Sequence, residues 1–114
     1  MGEKMKINGI WKVEMLGPYG WEPVATAFLE DGKYKSASEN HFTIGSYEVS
    51  ANRIEISVTA VQHGKTRTVF GKKKREMALT FNGDIKREKI KGHVRENKTP
   101  HQIAFQMTRL ADLS

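Results

Sequence analysis

The chain of 114 residues contains no cysteine. Disulfides, thiolate metal ligands and cysteine nucleophiles are therefore excluded, and a reducing compartment is the natural setting. Long apolar runs are also missing, since no stretch approaches the about eighteen residues that a membrane-spanning helix needs. The first ten residues, MGEKMKINGI, carry charges but not the apolar core of a signal peptide. We therefore expect a single cytoplasmic domain without a membrane span.

Helical periodicity is missing too, because no segment repeats its apolar residues every about 3.6 positions over three turns. Apolar and polar residues instead alternate in short segments, which is typical of half-buried strands. In RIEISVTAV at 53–61, for example, Ile54, Ile56 and Val58 share one face and the polar residues share the other. The other segments with this pattern lie at residues 8–15, 24–29, 33–35, 41–49, 77–81, 88–96 and 102–110.

Turn signals separate these segments at short and even spacing. Asp31-Gly32 and Asn82-Gly83 are each predicted to form the tight hairpin turn that strand twist favours. Such connections place neighbours in sequence side by side, so the sheet is predicted to be an antiparallel up-and-down meander. About eight strands can close into a barrel with an interior filled by side chains or by one small ligand. We predict an all-β barrel domain over residues 7–110, between a flexible segment at 1–6 and a tail at 111–114.

The segment NGIWKVEM at 8–15 resembles the Gly-x-Trp start of the calycin barrels, the lipocalins and their relatives. In that superfamily the tryptophan closes one end of the barrel and a late arginine often packs across it. The resemblance therefore implies a lipocalin-like barrel with a structural plug made of Trp11 and Arg109.

More of the chain resembles the GrlR-type family, which consists of small bacterial lipocalin-like proteins named for a negative regulator of type III secretion. The resemblance runs from about residue 7 to residue 110 and includes AFLEDGKY, HFTIGSYEV and NRIEISVTAVQH. It implies a regulatory or binding module with a protein partner and a homodimeric state. The family's regulator is thought to contact its transcriptional activator partly through a run of consecutive acidic residues. Nothing here matches that run, because Glu30 and Asp31 form only an acidic pair in a predicted turn.

Residues with the spacing of a catalytic or metal site are not apparent. The four histidines, His41, His63, His93 and His101, show no spacing typical of metal ligands, and zinc needs three or four organised ligands. No serine lies between the glycines of a nucleophile elbow, and no glycine-rich loop precedes a helix. We expect a protein without enzymatic activity, metal or cofactor.

Large and small apolar residues are mixed on the faces predicted to point inward. Small side chains leave volume unfilled, which is how small barrels hold a ligand. The same mixture also fits an interior that is filled completely, and the sequence leaves both readings open. If a cavity exists, Trp11 fills the closed end and the opposite end stays open to a small apolar or lipid-like ligand. The predicted cavity lining is Val13, Phe28, Ile56, Val58, Leu79, Phe81, Phe105 and Met107.

A basic run follows the fifth predicted strand, in a chain of net charge +6. The longest connection, 64–75, contains four consecutive cations, which we predict to bind a protein partner or the anionic head of an amphipathic ligand: Lys72, Lys73, Lys74 and Arg75. A solvated loop without a binding role would have the same run of cations in its sequence. The alternative function is a nucleic-acid-associated barrel acting through residues 65–75. Proteins that bind single strands interleave aromatic residues with their cations, and only Phe70 lies nearby, so nucleic acid is the less favoured partner.

Overall fold

The described residues of the chain form a closed antiparallel barrel in which eight strands follow each other in sequence order. It is described by a computed structural model that covers residues 7–39, 41–62 and 76–112. The predicted all-β, up-and-down architecture is confirmed, and β1 closes the barrel by pairing with β8. The strands are β1 (Gly9–Gly17), β2 (Gly20–Glu30), β3 (Lys33–Ala37), β4 (His41–Ser50), β5 (Arg53–Gln62), β6 (Glu76–Lys86), β7 (Lys89–Glu96) and β8 (Gln102–Ala111).

The interior forms because the strands alternate buried and exposed side chains. In β5, Ile54, Ile56 and Val58 are buried while the residues between them face solvent. Burying such a side chain contributes about 1.5–3 kcal/mol to stability. The inward faces of the other strands add to one continuous core. β8 continues to Ala111, one residue beyond the predicted end of the domain. Residues 1–6, for which a flexible segment was predicted, lie outside the described part of the chain.

A β-bulge in β2 changes which residues of that strand point inward. Val24 is the extra residue, because its neighbours Pro23 and Ala25 oppose adjacent residues of β1. Side chains alternate with a period of two, so the bulge reverses the faces along the strand. Beyond it Leu29 is buried, while Phe28 is 43% exposed on the outer surface. The prediction that Phe28 lines the interior is wrong for this reason.

The predicted turn at Asn82-Gly83 is also wrong, since β6 runs straight through these residues. Gly83 lies opposite Gly92 on β7, and a Cβ atom on Gly92 would overlap the carbonyl oxygen of Asn82. The glycines therefore serve a close approach of two backbones rather than a turn. The turn between β6 and β7 is at Arg87, which has a positive φ of 56°.

The barrel has two ends of different construction. The closed end is the one where β1 begins and where the turns at Asp31–Gly32, Ala51–Asn52 and Arg87–Glu88 lie. The turn predicted at Asp31-Gly32 is present, and both residues have positive φ. The opposite end, where β5 ends and β6 begins, is called the open end because no described tryptophan plug fills it.

Candidate functional site

Trp11 fills the closed end. Its side chain has no exposed surface, and its indole Nε1 donates a hydrogen bond to the carbonyl oxygen of Ile7 at 3.0 Å. The guanidinium of Arg109 lies over the ring, 4.9 Å from the ring centroid. A cation over an indole face contributes about 1 kcal/mol. The two residues of the predicted plug are thus in direct contact.

Arg109 joins three chain segments at this end. Its Nη1 donates to the carbonyl oxygen of Asn8 at 2.7 Å and to Asp112 Oδ1 at 2.9 Å. Its Nε forms an ion pair with Glu88 at 2.9 Å. A guanidinium reaches several partners at once because its donors are fixed in one plane. The N-terminal segment, the β6–β7 turn and the end of β8 are therefore held against Trp11.

A second hydrogen-bonded group closes the other side of the same end. The amide of Asn8 donates through Nδ2 to Asp31 Oδ1 and accepts from the Asp31 backbone N–H through Oδ1, both at 3.1 Å. The hydroxyl of Tyr47 donates to Asn8 Oδ1 at 3.1 Å. Buried apolar residues and these polar contacts together occupy the closed end.

A cavity of about 90 Å³ lies toward the open end. Other inward-facing residues of the described chain form the packed core beside it. This volume is smaller than the about 300–1,000 Å³ typical of pockets for drug-sized ligands. The residues around it are Val13, Met15, Val24, Ala25, Tyr34, Ser36, Ser38, His41, Thr43, Ala60, Met77, Leu79 and Phe81.

The two sides of the cavity differ in chemistry. Strands β3 and β4, with the turn between them, supply hydroxyl groups and one imidazole, from Tyr34, Ser36, Ser38, His41 and Thr43. The remaining strands around the cavity supply only aliphatic, thioether and aromatic side chains. Within the described residues no lysine or arginine lines it.

Tyr34 is the most buried polar residue of this wall, and its exposed fraction is 2%. Burial raises the pKa of Tyr34 to about 12, although a hydrogen bond with Ser36 acts in the opposite direction. The phenol is therefore neutral at physiological pH. A neutral phenol presents both a donor and an acceptor to the cavity.

A larger depression of about 470 Å³ adjoins the cavity along the β1–β2 hairpin. Met15 and Val24 line both spaces. Leu16, Pro23 and Ile103 add apolar surface to the depression, and Glu22 adds a carboxylate. A molecule with one end in the cavity would thus find a mostly apolar surface beside it for the rest of its length.

The predicted lining residues fall into three groups. Val13, Leu79 and Phe81 line the cavity. Phe28 lies on the outer surface. The other four are buried in the filled part of the core: Ile56, Val58, Phe105 and Met107.

The polar wall is the part that sequence reasoning missed. A signal for it was present, because Lys33 and Lys35 point outward and so place Tyr34 and Ser36 inward on β3. His41 and Thr43 follow the same alternation on β4. The basic run Lys72–Arg75 lies outside the described residues.

The described part of the chain contains no group of three or more side chains able to hold a metal ion. It also contains no helix long and apolar enough to cross a membrane. No model of a known protein family matches the sequence, and no curated protein matches it. A small β-barrel is compatible with a lipocalin-like binding module, so the fold and the cavity geometry carry the functional argument.

Proposed function

We propose that this protein is a non-enzymatic, lipocalin-like binding module that holds a small apolar or amphipathic molecule at the open end of its barrel. In keeping with its resemblance to the GrlR-type family, it acts as a regulator in the bacterial cytoplasm, as a homodimer that contacts a protein partner. The observation that carries the binding proposal is the two-sided cavity at the end of the barrel opposite Trp11.

The size of the cavity limits how a ligand is held. A space of about 90 Å³ takes a short alkyl segment or one small ring, not a whole lipid. The apolar depression beside Met15 and Val24 then covers the part that stays outside. Burial of apolar ligand surface is favourable by roughly 25 cal/mol per Å², so both spaces contribute to affinity.

The chemistry of the polar wall favours a head group that forms hydrogen bonds without needing a counter-charge. Tyr34 and Ser36 offer neutral donors and acceptors deep in the cavity. A hydroxyl, a carbonyl or a protonated acid would be satisfied there. An ionised carboxylate would lose hydration without gaining a cation from the described lining.

The test is to fill the cavity without disturbing the barrel. Ala60 lines the cavity, and Ala60→Leu adds three heavy atoms to it. Ala78 is exposed on the neighbouring strand β6, so Ala78→Leu makes the same chemical change outside the barrel. We expect the Ala60 variant to lose binding of a dansylated fatty alcohol and of competing decanol, while the Ala78 variant binds like wild type. Equal binding by both variants would contradict the proposal, as would the failure of both probes to bind delipidated wild-type protein.

The oligomeric part of the proposal has its own measurement. Sedimentation equilibrium across micromolar concentrations is expected to give twice the chain mass of 12.9 kDa. A mass near that of one chain over the whole range would contradict the homodimer, and it would leave the ligand-binding proposal unaffected.

A further inference from the structure

The outer surface of the barrel carries a concentrated positive face on β7 and the turn before it. Lys89, Lys91, His93 and Arg95 all point outward on β7. Alternate residues of a strand are about 6.8 Å apart, so this row extends over about 20 Å. Lys86 and Arg87 are also exposed and lengthen the row at the closed end.

The charge density of this face is unfavourable for the free protein. Lys86 and Lys89 are directly opposite each other across β6 and β7, and like charges at such positions are destabilising. Arg87 occupies a left-handed turn position that glycine, asparagine and aspartate prefer. A bound polyanion would relieve the repulsion between these cations.

Two carboxylates lie beside the face, Asp84 directly opposite Lys91 and Glu88 in the turn, and each already has an arginine partner. Asp84 accepts a charged hydrogen bond from Arg53 at 2.7 Å, and Glu88 is paired with Arg109. Among the described residues, no ion pair involves Lys89 or Lys91. The cations of β7 are thus available to an outside anion.

The strands that flank β7 are uncharged over most of the same surface. Asn82 on β6 and Gln102, Gln106 and Thr108 on β8 lie directly beside the cationic row. Amides, hydroxyls and cations are the side chains that contact the phosphates of nucleic acids. Bases of single-stranded nucleic acids stack on aromatic side chains. Among the described residues, this outer surface carries no phenylalanine, tyrosine or tryptophan. Protein–protein interfaces place aromatic and apolar anchors at their centre, and protein–DNA interfaces are more polar and more positive.

We propose that the outer face of β6, β7 and β8 binds the phosphate backbone of a double-stranded nucleic acid without reading its sequence. The binding residues are Lys86, Lys89, Lys91 and Arg95, supported by the amides of Asn82 and Gln102. The amide of Gln106 already donates to Glu14 Oε1 at 2.9 Å. This surface is separate from the ligand cavity, and its binding residues are all among the described ones. The proposal does not rest on the ligand-binding function.

The test compares pairs of variants that carry the same net charge. Lys89→Gln/Lys91→Gln removes two cations from the face, and Lys33→Gln/Lys35→Gln removes two from β3, on the opposite side of the barrel. Binding of a short labelled DNA or RNA duplex is measured by fluorescence anisotropy between about 50 and 200 mM salt. The slope of log K against log[salt] for wild type is expected to be about −3 to −4 on DNA, for roughly four phosphates neutralised.

The β7 pair is expected to weaken binding roughly 50-fold at about 100 mM salt and to reduce the slope by about two, whereas the β3 pair leaves both nearly unchanged. Equal losses of duplex affinity in the β7 pair and the β3 pair would show a general effect of net charge and would overturn the proposal. The proposal would also be overturned if the wild-type protein binds neither the DNA nor the RNA duplex at the lowest salt concentration. Competition by polyglutamate that is as strong as competition by unlabelled duplex would overturn it too. A third pair, Lys72→Gln/Lys73→Gln, overturns it if this pair alone loses binding. Binding of only one of the two duplexes supports the proposal and identifies the nucleic acid.

Discussion

Replacing Arg109 by methionine tests whether the closed end is held together by one guanidinium. The substitution keeps much of the aliphatic length and removes every polar contact of the side chain. A hydrogen bond from a charged donor contributes about 1.5–3 kcal/mol, and Arg109 makes one at 2.7 Å to the carbonyl of Asn8. The contact with Trp11 adds about 1 kcal/mol.

The two ion pairs add less, because the carboxylates are mostly exposed. The side chain of Arg109 is 13% exposed, but those of Glu88 and Asp112 are 68% and 74% exposed. Exposed pairs of this kind contribute about 0–1 kcal/mol. Since these contributions overlap, we expect Arg109→Met to lower the free energy of unfolding by about 2–4 kcal/mol.

Urea denaturation followed by circular dichroism measures this loss. Glu88→Gln, which removes only an exposed ion pair, is the matched control and is expected to cost under about 1 kcal/mol. Arg109→Lys keeps the charge but not the planar donors, and it is expected to recover only part of the loss. A change of less than about 0.5 kcal/mol for Arg109→Met would refute the reasoning, because surface substitutions fall in that range.

Three other predictions follow from the same geometry. Gly92→Ala is expected to destabilise the barrel by at least about 2 kcal/mol in urea, because its Cβ would overlap the β6 backbone. Propensity alone would make the variant more stable by about 0.5–1 kcal/mol, and a result in that direction would argue against the close approach. The contribution of neutral Tyr34 to the free energy of unfolding is complete below its unfolded pKa of 10.0 and is lost as pH rises toward about 12. Tyr34→Phe is therefore expected to flatten the dependence of that free energy on pH between these two values. An unchanged profile would contradict this. In a Trp21→Phe background, Trp11 emission is expected to be blue-shifted and resistant to acrylamide, and easy quenching would show that Trp11 is exposed.

Local alternation was sufficient to predict the strands, because each has one face in the core. β5 shows this most clearly, since its apolar residues occupy every second position from Ile54 onward. Asn82-Gly83 shows the limit of local reasoning. The pair has the chemistry of a hairpin turn, and only the pairing of Gly83 with Gly92 across the sheet makes it part of a strand.

The cavity was harder to predict than the fold, because it depends on which strands lie across from each other. The bulge at Val24 is not visible in the alternation, and it reverses the orientation of Phe28. The polar wall required closure of the barrel, which brings Tyr34 on β3 against Phe81 on β6, with the two ring centroids 6.2 Å apart. Such long-range juxtaposition is fixed by register rather than by neighbouring residues.

The central claim is that the barrel binds ligand at one end and is filled at the other, and its methionines report on both. Met15 and Met77 line the cavity, while Met107 is fully buried in the core outside it. Protein labelled with ¹³C at the methionine methyl groups is titrated with decanol and followed by NMR. We predict that the methyl signals of Met15 and Met77 shift with saturation while that of Met107 stays in place. Shifts confined to Met107, or no shift of the two lining methyls at any soluble concentration of decanol, would contradict the account.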